Sequence, residues 1–191
     1  MARARRAEVD DPNVVLEAAL RFLEVRQRSV AEVRRRLARA GYREELVTGV
    51  IARLGDLGVL DDEAFARAWI ESRDRAHPRG EHALMLELRQ KGLDASTIAG
   101  ALRTRREDAV RWNAETGDGT DAEEGPGASA DEAVARKLLA RHARALDRIV
   151  DPRARRRRAY ALLARNGFGP EIAAAAAREL LAANDADPTE D

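Results

Sequence analysis

A short pattern that occurs three times constrains the fold of this chain more than any other feature. Each copy consists of a leucine, three further residues, a glycine and a large apolar residue, and the copies end at Tyr42, Leu93 and Phe168. Further apolar residues stand at fixed distances from the three glycines: Val33, Leu84 and Ala159 eight residues before, Ile51, Leu102 and Ala177 ten residues after, and Leu54 and Leu180 thirteen residues after the first and third. A pattern repeated in this way indicates that one small structural unit occurs three times along the chain.

The residues around the pattern indicate that each unit is built from helices. Ser29 is followed three residues later by Glu32, as in the capping box of a helix start, and Gly41 stands where a left-handed residue would end that helix. We expect Gly92 and Gly167 to end the corresponding helices of the other two units. Two more helix starts are predicted, at Asp61 and at Ser129 with Glu132.

The composition favours a purely helical protein. Aromatic residues make up only 4% of the chain, and strong helix formers such as alanine, leucine, arginine and glutamate dominate. We therefore predict an all-α fold of three tandem three-helix repeats that are similar to helix-turn-helix units. Because a unit of roughly 45 residues is small for an independent core, we expect the repeats to pack against one another in an elongated, curved arrangement. The expected segments are a disordered N-terminal tail (1–12), repeat 1 (13–60), repeat 2 (61–112), a flexible acidic linker (113–130), repeat 3 (131–184) and an acidic tail (185–191).

Several classes of function lack the residues that they need. The chain contains no cysteine, and His77 and His82 are five residues apart with no further metal ligand at a suitable spacing. It has neither a phosphate-binding glycine loop nor the serine elbow of a hydrolase. The acidic run 61–63 lies at a predicted helix start, where carboxylates interact favourably with the helix dipole. We therefore predict no catalytic residue, no metal, no cofactor and no enzyme activity.

No segment of the sequence is expected to direct the chain to a membrane. Residues 1–11 are charged and lack the apolar core of a secretory signal, and no run approaches the ~18 apolar residues of a membrane span. A chain without cysteine does not need an oxidising compartment. We expect a cytoplasmic protein, and a monomer, because no heptad pattern indicates a coiled-coil dimer.

The net charge of zero conceals an uneven distribution of charges. Residues 1–114 carry +3, residues 115–132 carry −7 and residues 133–191 carry +4. Most runs of charge are solvated helix faces, but consecutive arginines repel one another unless an anion is bound. Our hypothesis is that the cations on the predicted second helix of each repeat contact phosphate or an acidic protein surface. They are Arg34, Arg35, Arg36 and Arg39 in repeat 1, Arg89 and Lys91 in repeat 2, and Arg153, Arg155, Arg156, Arg157, Arg158 and Arg165 in repeat 3.

The repeats do not have the charge distribution of a sequence-reading helix-turn-helix protein. Such proteins present polar side chains to base edges from their last helix. Here the third helix of repeat 1 has a mixed surface, and that of repeat 3 is mostly alanine between Ala173 and Ala177. Because alanine cannot reach a base donor or acceptor, sequence-specific operator binding is disfavoured.

One longer stretch resembles a known protein family. Residues 58–66 read GVLDDEAFA and are followed by Arg73 and by ELRQKGL at 87–93. Together with the threefold pattern, these motifs resemble the RecX family of bacterial recombinase regulators. The resemblance is close over residues 14–106 and looser over 131–182.

This resemblance implies a tandem-repeat protein that binds along the groove of the RecA–DNA filament, which contains single- or double-stranded DNA. It further implies inhibition of recombinase, ATPase and coprotease activities, in DNA repair and the SOS response. The chain departs from the family in two features. The acidic insert before repeat 3 is longer than expected, and the last helix is rich in alanine. The alternative is a nucleic-acid-binding module that lacks sequence specificity and has no recombinase partner.

Overall fold

The structure is a computed structural model that describes residues 9–115 and 129–185, and in these ranges helices alternate with short turns and loops. Nine helices and no strand lie in these ranges, which confirms the predicted all-α class. The predicted tails and the linker lie mostly outside the described residues. In chain order the helices are α1 (Pro12–Leu23), α2 (Val30–Ala40), α3 (Glu44–Asp56), α4 (Asp62–Ala76), α5 (Glu81–Lys91), α6 (Ala95–Glu115), α7 (Ala130–Asp147), α8 (Pro152–Arg165) and α9 (Pro170–Asp185).

The predicted helix starts are confirmed. The Ser29 hydroxyl accepts a hydrogen bond from the Glu32 N–H, and the Glu32 carboxylate accepts one from the Ser29 N–H, which completes the capping box of α2. Ser129 and Glu132 form the same box at the start of α7. The Asp61 carboxylate accepts a hydrogen bond of 2.9 Å from a backbone N–H in the first turn of α4.

The glycines of the threefold pattern end α2, α5 and α8. Their backbones are left-handed, with φ of 94° at Gly41, 88° at Gly92 and 82° at Gly167, a conformation that glycine adopts without steric cost. The apolar positions eight residues before and ten residues after these glycines are buried: Val33, Leu84 and Ala159 are each 0% exposed, and Ile51, Leu102 and Ala177 are 8%, 4% and 0% exposed. Thirteen residues after the glycine, Leu54 is buried and Leu180 is half-buried.

The contacts divide the chain into two compact units, each with its own apolar core. In the first unit, α1, α2 and α3 surround a core that includes Val33, Leu37 and Leu54. In the second unit, α7, α8 and α9 surround a core that includes Leu139 and Leu163. The first unit lies within Met1–Ala68 and Glu87–Ala101, and the second within Trp69–Leu86 and Leu102–Asp191.

The alanine-rich helix α9 contributes small side chains to the core of repeat 3. Ala173, Ala176 and Ala177 are 0–4% exposed and pack in the same cluster as Leu163 and Phe168. Because hydrophobic stabilisation scales with the apolar area that is buried, most of it in this repeat comes from the larger side chains of α7 and α8 and from Phe168.

In the first unit, a carboxylate at the start of repeat 2 caps the second helix of repeat 1. The Asp62 carboxylate accepts a hydrogen bond of 2.9 Å from the N–H of Val30, the first residue of α2. Beside it, the Ser29 hydroxyl donates to the Lys91 carbonyl at 2.7 Å, and the Lys91 ammonium lies 3.0 Å from the Glu32 carboxylate. The start of a helix has free N–H groups and the positive end of the helix dipole. Both favour a carboxylate such as that of Asp62 as the acceptor at this position.

The same arrangement occurs in the second unit, one repeat later. The Asp131 carboxylate, in the first turn of α7, accepts a hydrogen bond of 3.0 Å from the N–H of Glu81, the first residue of α5. The Gly80 N–H donates to the Asn166 carbonyl at 3.0 Å, in the place where a serine hydroxyl donates in the first unit. The three repeats are therefore joined by one type of junction that occurs twice.

Each junction also brings a glycine into close contact with an alanine. A Cβ atom built on Gly92 would lie 2.4 Å from the Cβ of Ala31, and one built on Gly167 would lie 2.4 Å from the Cβ of Ala83. These distances leave no room for a side chain on the glycine and little room for a larger residue in place of the alanine.

Arg105 is buried in the second unit at a position where repeats 1 and 3 have leucine. It lies thirteen residues after Gly92, which corresponds to the position of Leu54 in repeat 1. Its side chain is 6% exposed and donates to the Asp74 carboxylate at 2.8 and 3.0 Å and to the Asp131 carboxylate at 2.6 Å. Burial disfavours the charge, but the hydrogen bonds and charges of Asp74 and Asp131 outweigh it and raise the pKa of Arg105. The arginine thereby links α4, α6 and α7.

Candidate interface for an anionic partner

The twelve cations predicted as an interface lie on three helices, α2, α5 and α8. Some of these side chains interact with other groups of the described chain, and for others the described residues provide no partner. An internal partner reduces the charge that a cation can offer to an external anion. The internal contacts therefore decide which of the twelve are available.

Arg34 on α2 is held within repeat 1. Its guanidinium forms an ion pair with Glu44 and donates a hydrogen bond of 3.1 Å to the Thr48 hydroxyl, both on α3. These contacts fill the groove between α2 and α3 at this level. Arg34 thus has a role in packing the two helices together.

The other arginines of α2 differ from one another. Arg36 lies over the ring of Phe22, with 5.6 Å between its Cζ atom and the ring centroid, which is within the range of a cation–π interaction. Arg35 makes a long hydrogen bond of 3.4 Å to the last carbonyl of α5. Arg39 is exposed, and the described residues provide no partner for its side chain.

Lys91 on α5 belongs to the repeat junction. It is 22% exposed and pairs with Glu32 at 3.0 Å. Burial opposes ionisation of Glu32, but the hydrogen bonds from Lys91 and Ser29 and the charge of Lys91 outweigh it, so the pKa of Glu32 is lowered. The charge of Lys91 is therefore used inside the protein, whereas Arg89 on the same helix is exposed.

On α8, Arg155 differs from the neighbouring arginines in its exposure to solvent. It is half-buried, and its Nε donates to the Ile149 carbonyl at 3.1 Å, so it fixes the loop that precedes the helix. The remaining five cations of α8 are exposed, and no ion pair or side-chain hydrogen bond holds them within the described ranges 9–115 and 129–185. They are Arg153, Arg156, Arg157, Arg158 and Arg165. We call this set the α8 cations.

A cavity of about 800 Å³ lies beside the α8 cations, between α8 and α9. Three guanidinium groups and the ring of Tyr160 line it. Tyr160 is 39% exposed. Among the described residues that line it, Glu171 is the acidic one. The full set is Arg156, Arg157, Tyr160, Pro170, Glu171, Ala174, Ala177 and Arg178.

The cavity exists because repeat 3 departs from repeat 1 at three equivalent positions. Counted from the helix-ending glycine, Tyr160 replaces Arg34, Pro170 replaces Glu44 and Ala174 replaces Thr48. The ion pair and the hydrogen bond that fill this groove in repeat 1 cannot form between a tyrosine, a proline and an alanine. The groove of repeat 3 is therefore left open between its cations.

Two residues of this site, Tyr160 and Arg178, were not among the predicted interface residues. Tyr160 is uncharged, so a search for clusters of charge along the sequence does not detect it. Arg178 lies on α9, away from the other cations. Counting back seven residues from the helix-ending glycine places Tyr160 at the position of Arg34. Only the structure shows that Arg34 is paired, and therefore what its replacement by a tyrosine changes.

The described residues contain no group of three or more histidine, cysteine or acidic side chains arranged to hold a metal ion. Within the same ranges, no helix combines the length and the apolarity that a membrane-spanning helix needs.

Comparison with known proteins identifies the family. Residues 16–54 match the model of the first three-helix domain of RecX, and residues 61–102 match that of the second. Regulatory protein RecX of Thermobifida fusca is 31% identical over 164 residues, which cover 86% of this chain and 77% of the relative. The chain belongs to the RecX family. The RecX relatives are named as regulatory proteins.

Other RecX proteins are more similar over a shorter length. Regulatory protein RecX of Mycolicibacterium vanbaalenii is 42% identical over 100 residues, or 48% of this chain and 54% of the relative. That of Mycolicibacterium smegmatis is 38% identical over 112 residues, or 56% of this chain and 60% of the relative. The chain thus matches somewhat more than half the length of these mycobacterial relatives.

Solved RecX structures share the fold. The crystal structure of RecX from Lactobacillus salivarius superposes with a TM-score of 0.66 at 22% identity and covers 91% of this chain and 98% of that one. A second, a crystal structure of regulatory protein RecX, gives a TM-score of 0.63 at 19% identity, with 84% and 68% covered. The predicted fold of three-helix RecX domains is confirmed, and the α8 cations lie outside both segments that match the family models.

Proposed function

We propose that this protein binds the filament that RecA recombinase forms on single- or double-stranded DNA and inhibits its recombinase, ATPase and coprotease activities. It acts in the cytoplasm as a monomer, in the repair of DNA and the SOS response. Membership of the RecX family supports the regulatory part of this proposal. The α8 cations support an anionic partner.

The observation that carries the proposal is that the α8 cations have no ion-pair or side-chain hydrogen-bond partner within residues 9–115 and 129–185. Five exposed guanidinium groups on one helix repel one another, and this repulsion is relieved when a polyanion approaches. A DNA-containing filament offers closely spaced phosphates, and neutralising them releases counterions. The free energy gained in this way depends on salt, which provides a direct test.

The first prediction concerns three neighbouring α8 cations. We expect the combined substitution Arg156→Ala, Arg157→Ala and Arg158→Ala to weaken binding to a RecA–DNA filament at least tenfold in low salt. The slope of log affinity against log salt should become shallower by about 2 to 3, because three phosphate contacts are lost. Filament binding can be followed by fluorescence anisotropy of the labelled protein, and inhibition by ATP hydrolysis of RecA.

A matched control removes three exposed arginines that pair within their own helices. Arg67, Arg75 and Arg103 each lie four residues from a glutamate partner and are 52–70% exposed. Their replacement by alanine should leave the salt slope unchanged. If the two triple variants bound the filament equally well, the α8 cations would not be the interface.

The recombinase-independent alternative predicts a different result. A plain nucleic-acid-binding module would bind naked DNA as tightly as a RecA-coated filament and would not affect ATP hydrolysis by RecA beyond competition for DNA. Binding that requires both RecA and DNA supports the proposed function. Equal binding to naked DNA would favour the alternative.

The acidic stretch before repeat 3 gives a further prediction. Residues 115–132 carry seven negative charges and no positive one. Replacing Asp118, Asp121, Glu123 and Glu124 by their amides should raise affinity for the filament several-fold at low salt, because less negative charge then opposes the phosphates. The gain should disappear as salt shortens the range of charge interactions to about 3 Å at 1 M. Titrations at two salt concentrations measure it, and a gain that persists at high salt would contradict the explanation by charge.

A further inference from the structure

We propose that the cavity between α8 and α9 binds one base of a single-stranded nucleic acid, stacked on Tyr160, with the adjacent phosphates held by Arg156, Arg157 and Arg178. The inference deepens the proposed function and rests on it for the source of the strand, which is the DNA of the filament. It assigns a base-contacting site to a protein that would otherwise bind DNA by charge alone.

The size of the cavity suits a nucleotide. About 800 Å³ lies within the range of pockets that take small ligands, and it exceeds what a single inorganic phosphate would fill. The cations around it could hold an ion without such a volume. The space is therefore an argument for a ligand that has a bulky part as well as a charge.

The chemistry of the lining suits a flat base. Pro170, Ala174 and Ala177 present small apolar surfaces, and the tyrosine ring supplies a face on which any base can stack. The chain has only seven aromatic residues, and Tyr160 is one of them. It is 39% exposed, so much of its ring is open to a ligand. Stacking would cover this ring from water.

The charges around the cavity suit the backbone of the same strand. Arg156, Arg157 and Arg178 are exposed, and none of them has an ion-pair partner among the residues that the structure describes. Guanidinium groups bind phosphate through paired, charge-assisted hydrogen bonds. The single carboxylate, Glu171, does not oppose a base, because it can accept a hydrogen bond from the exocyclic amino group of cytosine.

An acidic peptide would satisfy the three arginines equally well. A nucleotide is favoured because each unit of a strand carries both a flat ring and a phosphate, and this is the combination that the cavity and its cations offer. A duplex is disfavoured, since its bases are already stacked and paired. Single-stranded binding by aromatic rings and basic grooves follows the same physical rules elsewhere.

The test compares two labelled strands that differ only in their bases. The full-length protein is titrated, without RecA, into an octamer of deoxycytidine and into an abasic octamer with the same number of phosphates. We expect the cytidine strand to bind about tenfold more tightly, which is the effect of one base–aromatic stack. Tyr160→Ala should abolish this difference, and Tyr160→Phe should retain it, because phenylalanine keeps the ring.

A second variant separates charge from stacking. Arg178→Ala should weaken binding of both strands to the same degree and make the salt slope shallower by about 0.7. The tenfold preference for the cytidine strand should persist in this variant. Circular dichroism of each variant verifies that the helices remain folded.

Three results would overturn the inference. They are equal binding of the cytidine and abasic strands by the unmodified protein, an undiminished preference in Tyr160→Ala, and tighter binding of poly-glutamate than of the cytidine strand. The RecA assay separates this failure from that of the proposed function. Inhibition of RecA without base preference would leave the proposed function intact, whereas base preference without any effect on RecA would contradict the proposed function alone.

Discussion

Replacement of Arg105 by alanine is expected to lower the free energy of unfolding by about 3–5 kcal/mol, the usual cost of removing one partner from a buried ion pair. The loss is large because two carboxylates, Asp74 and Asp131, remain in a site that was built around a cation. Asp131 also caps α5 through the Glu81 N–H, so its displacement would weaken the junction to repeat 3. Urea unfolding followed by helical circular dichroism measures the effect.

Two further variants define the cause of this loss. Arg103→Ala removes an arginine from the same helix whose side chain is 69% exposed, and it should change the free energy of unfolding by less than about 0.5 kcal/mol. Arg105→Leu combined with Asp74→Leu should recover part of the stability, because a buried ion pair can be replaced by apolar side chains of similar volume. Equal stability of the Arg105→Ala and Arg103→Ala variants would refute the structural role of Arg105.

The second large effect is expected at Gly167. Substitution by alanine should lower the free energy of unfolding by about 2–5 kcal/mol, since it combines a strained left-handed backbone with overpacking. The new Cβ would lie 2.4 Å from the Cβ of Ala83 and 2.6 Å from its backbone nitrogen. Because backbone atoms cannot rotate away as a side chain does, α8 would have to move away from α5.

Two other glycines separate the two contributions. Gly58 also has a left-handed backbone, with φ of 67°, but nothing lies within 4 Å of an added Cβ, so Gly58→Ala should cost only about 1–2 kcal/mol. Gly49 lies within α3, has open space around it and has no strained backbone, so Gly49→Ala should stabilise the protein by about 0.5–1 kcal/mol. Thermal unfolding of the three variants should rank them in this order, and a Gly167→Ala variant as stable as Gly58→Ala would show that the close contact is tolerated.

The helices and their ends could be predicted from the sequence because their signals are local. A capping box such as Ser29 with Glu32, or a glycine eight residues after a buried position, is specified by residues that are neighbours in the chain. The junctions between repeats could not be predicted in this way. Asp62 and Asp131 look like ordinary residues of a helix start, and only the folded chain shows that they cap a different helix.

Arg105 escaped prediction for a related reason. The leucine found thirteen positions after the first and third glycines is replaced by Arg105 after the second, and this exchange alone does not show whether the arginine is buried. The partners of Arg105 lie 31 and 26 residues away in the chain. A buried charge depends on such distant partners, so its environment becomes visible only in the fold.

The sequence predicted which residues carry the positive charge of the candidate interface, but not which of them are free of internal contacts and can bind an external anion. The sequence places twelve cations on three helices, and it does not distinguish Arg155, which fixes a loop, from Arg156, which is exposed. Likewise, Lys91 and Arg34 carry the same charge as the α8 cations but already interact with glutamates. Whether a cation can bind an external anion depends on its contacts with other helices, and the spacing of residues along the sequence does not show these contacts.

The start of α8 differs from the starts of α2 and α5. Helices α2 and α5 have 11 residues each, whereas α8 has 14 and begins one turn earlier relative to its glycine. Asp151 and Pro152 already cap this extra turn, and Arg157 stands where Ala31 makes room for the glycine of the next repeat. Head-to-tail contacts between identical units can continue only where each unit offers the same accepting surface. Repeat 3 does not offer it, because the start of α8 is capped by Asp151 and an arginine occupies the position of Ala31.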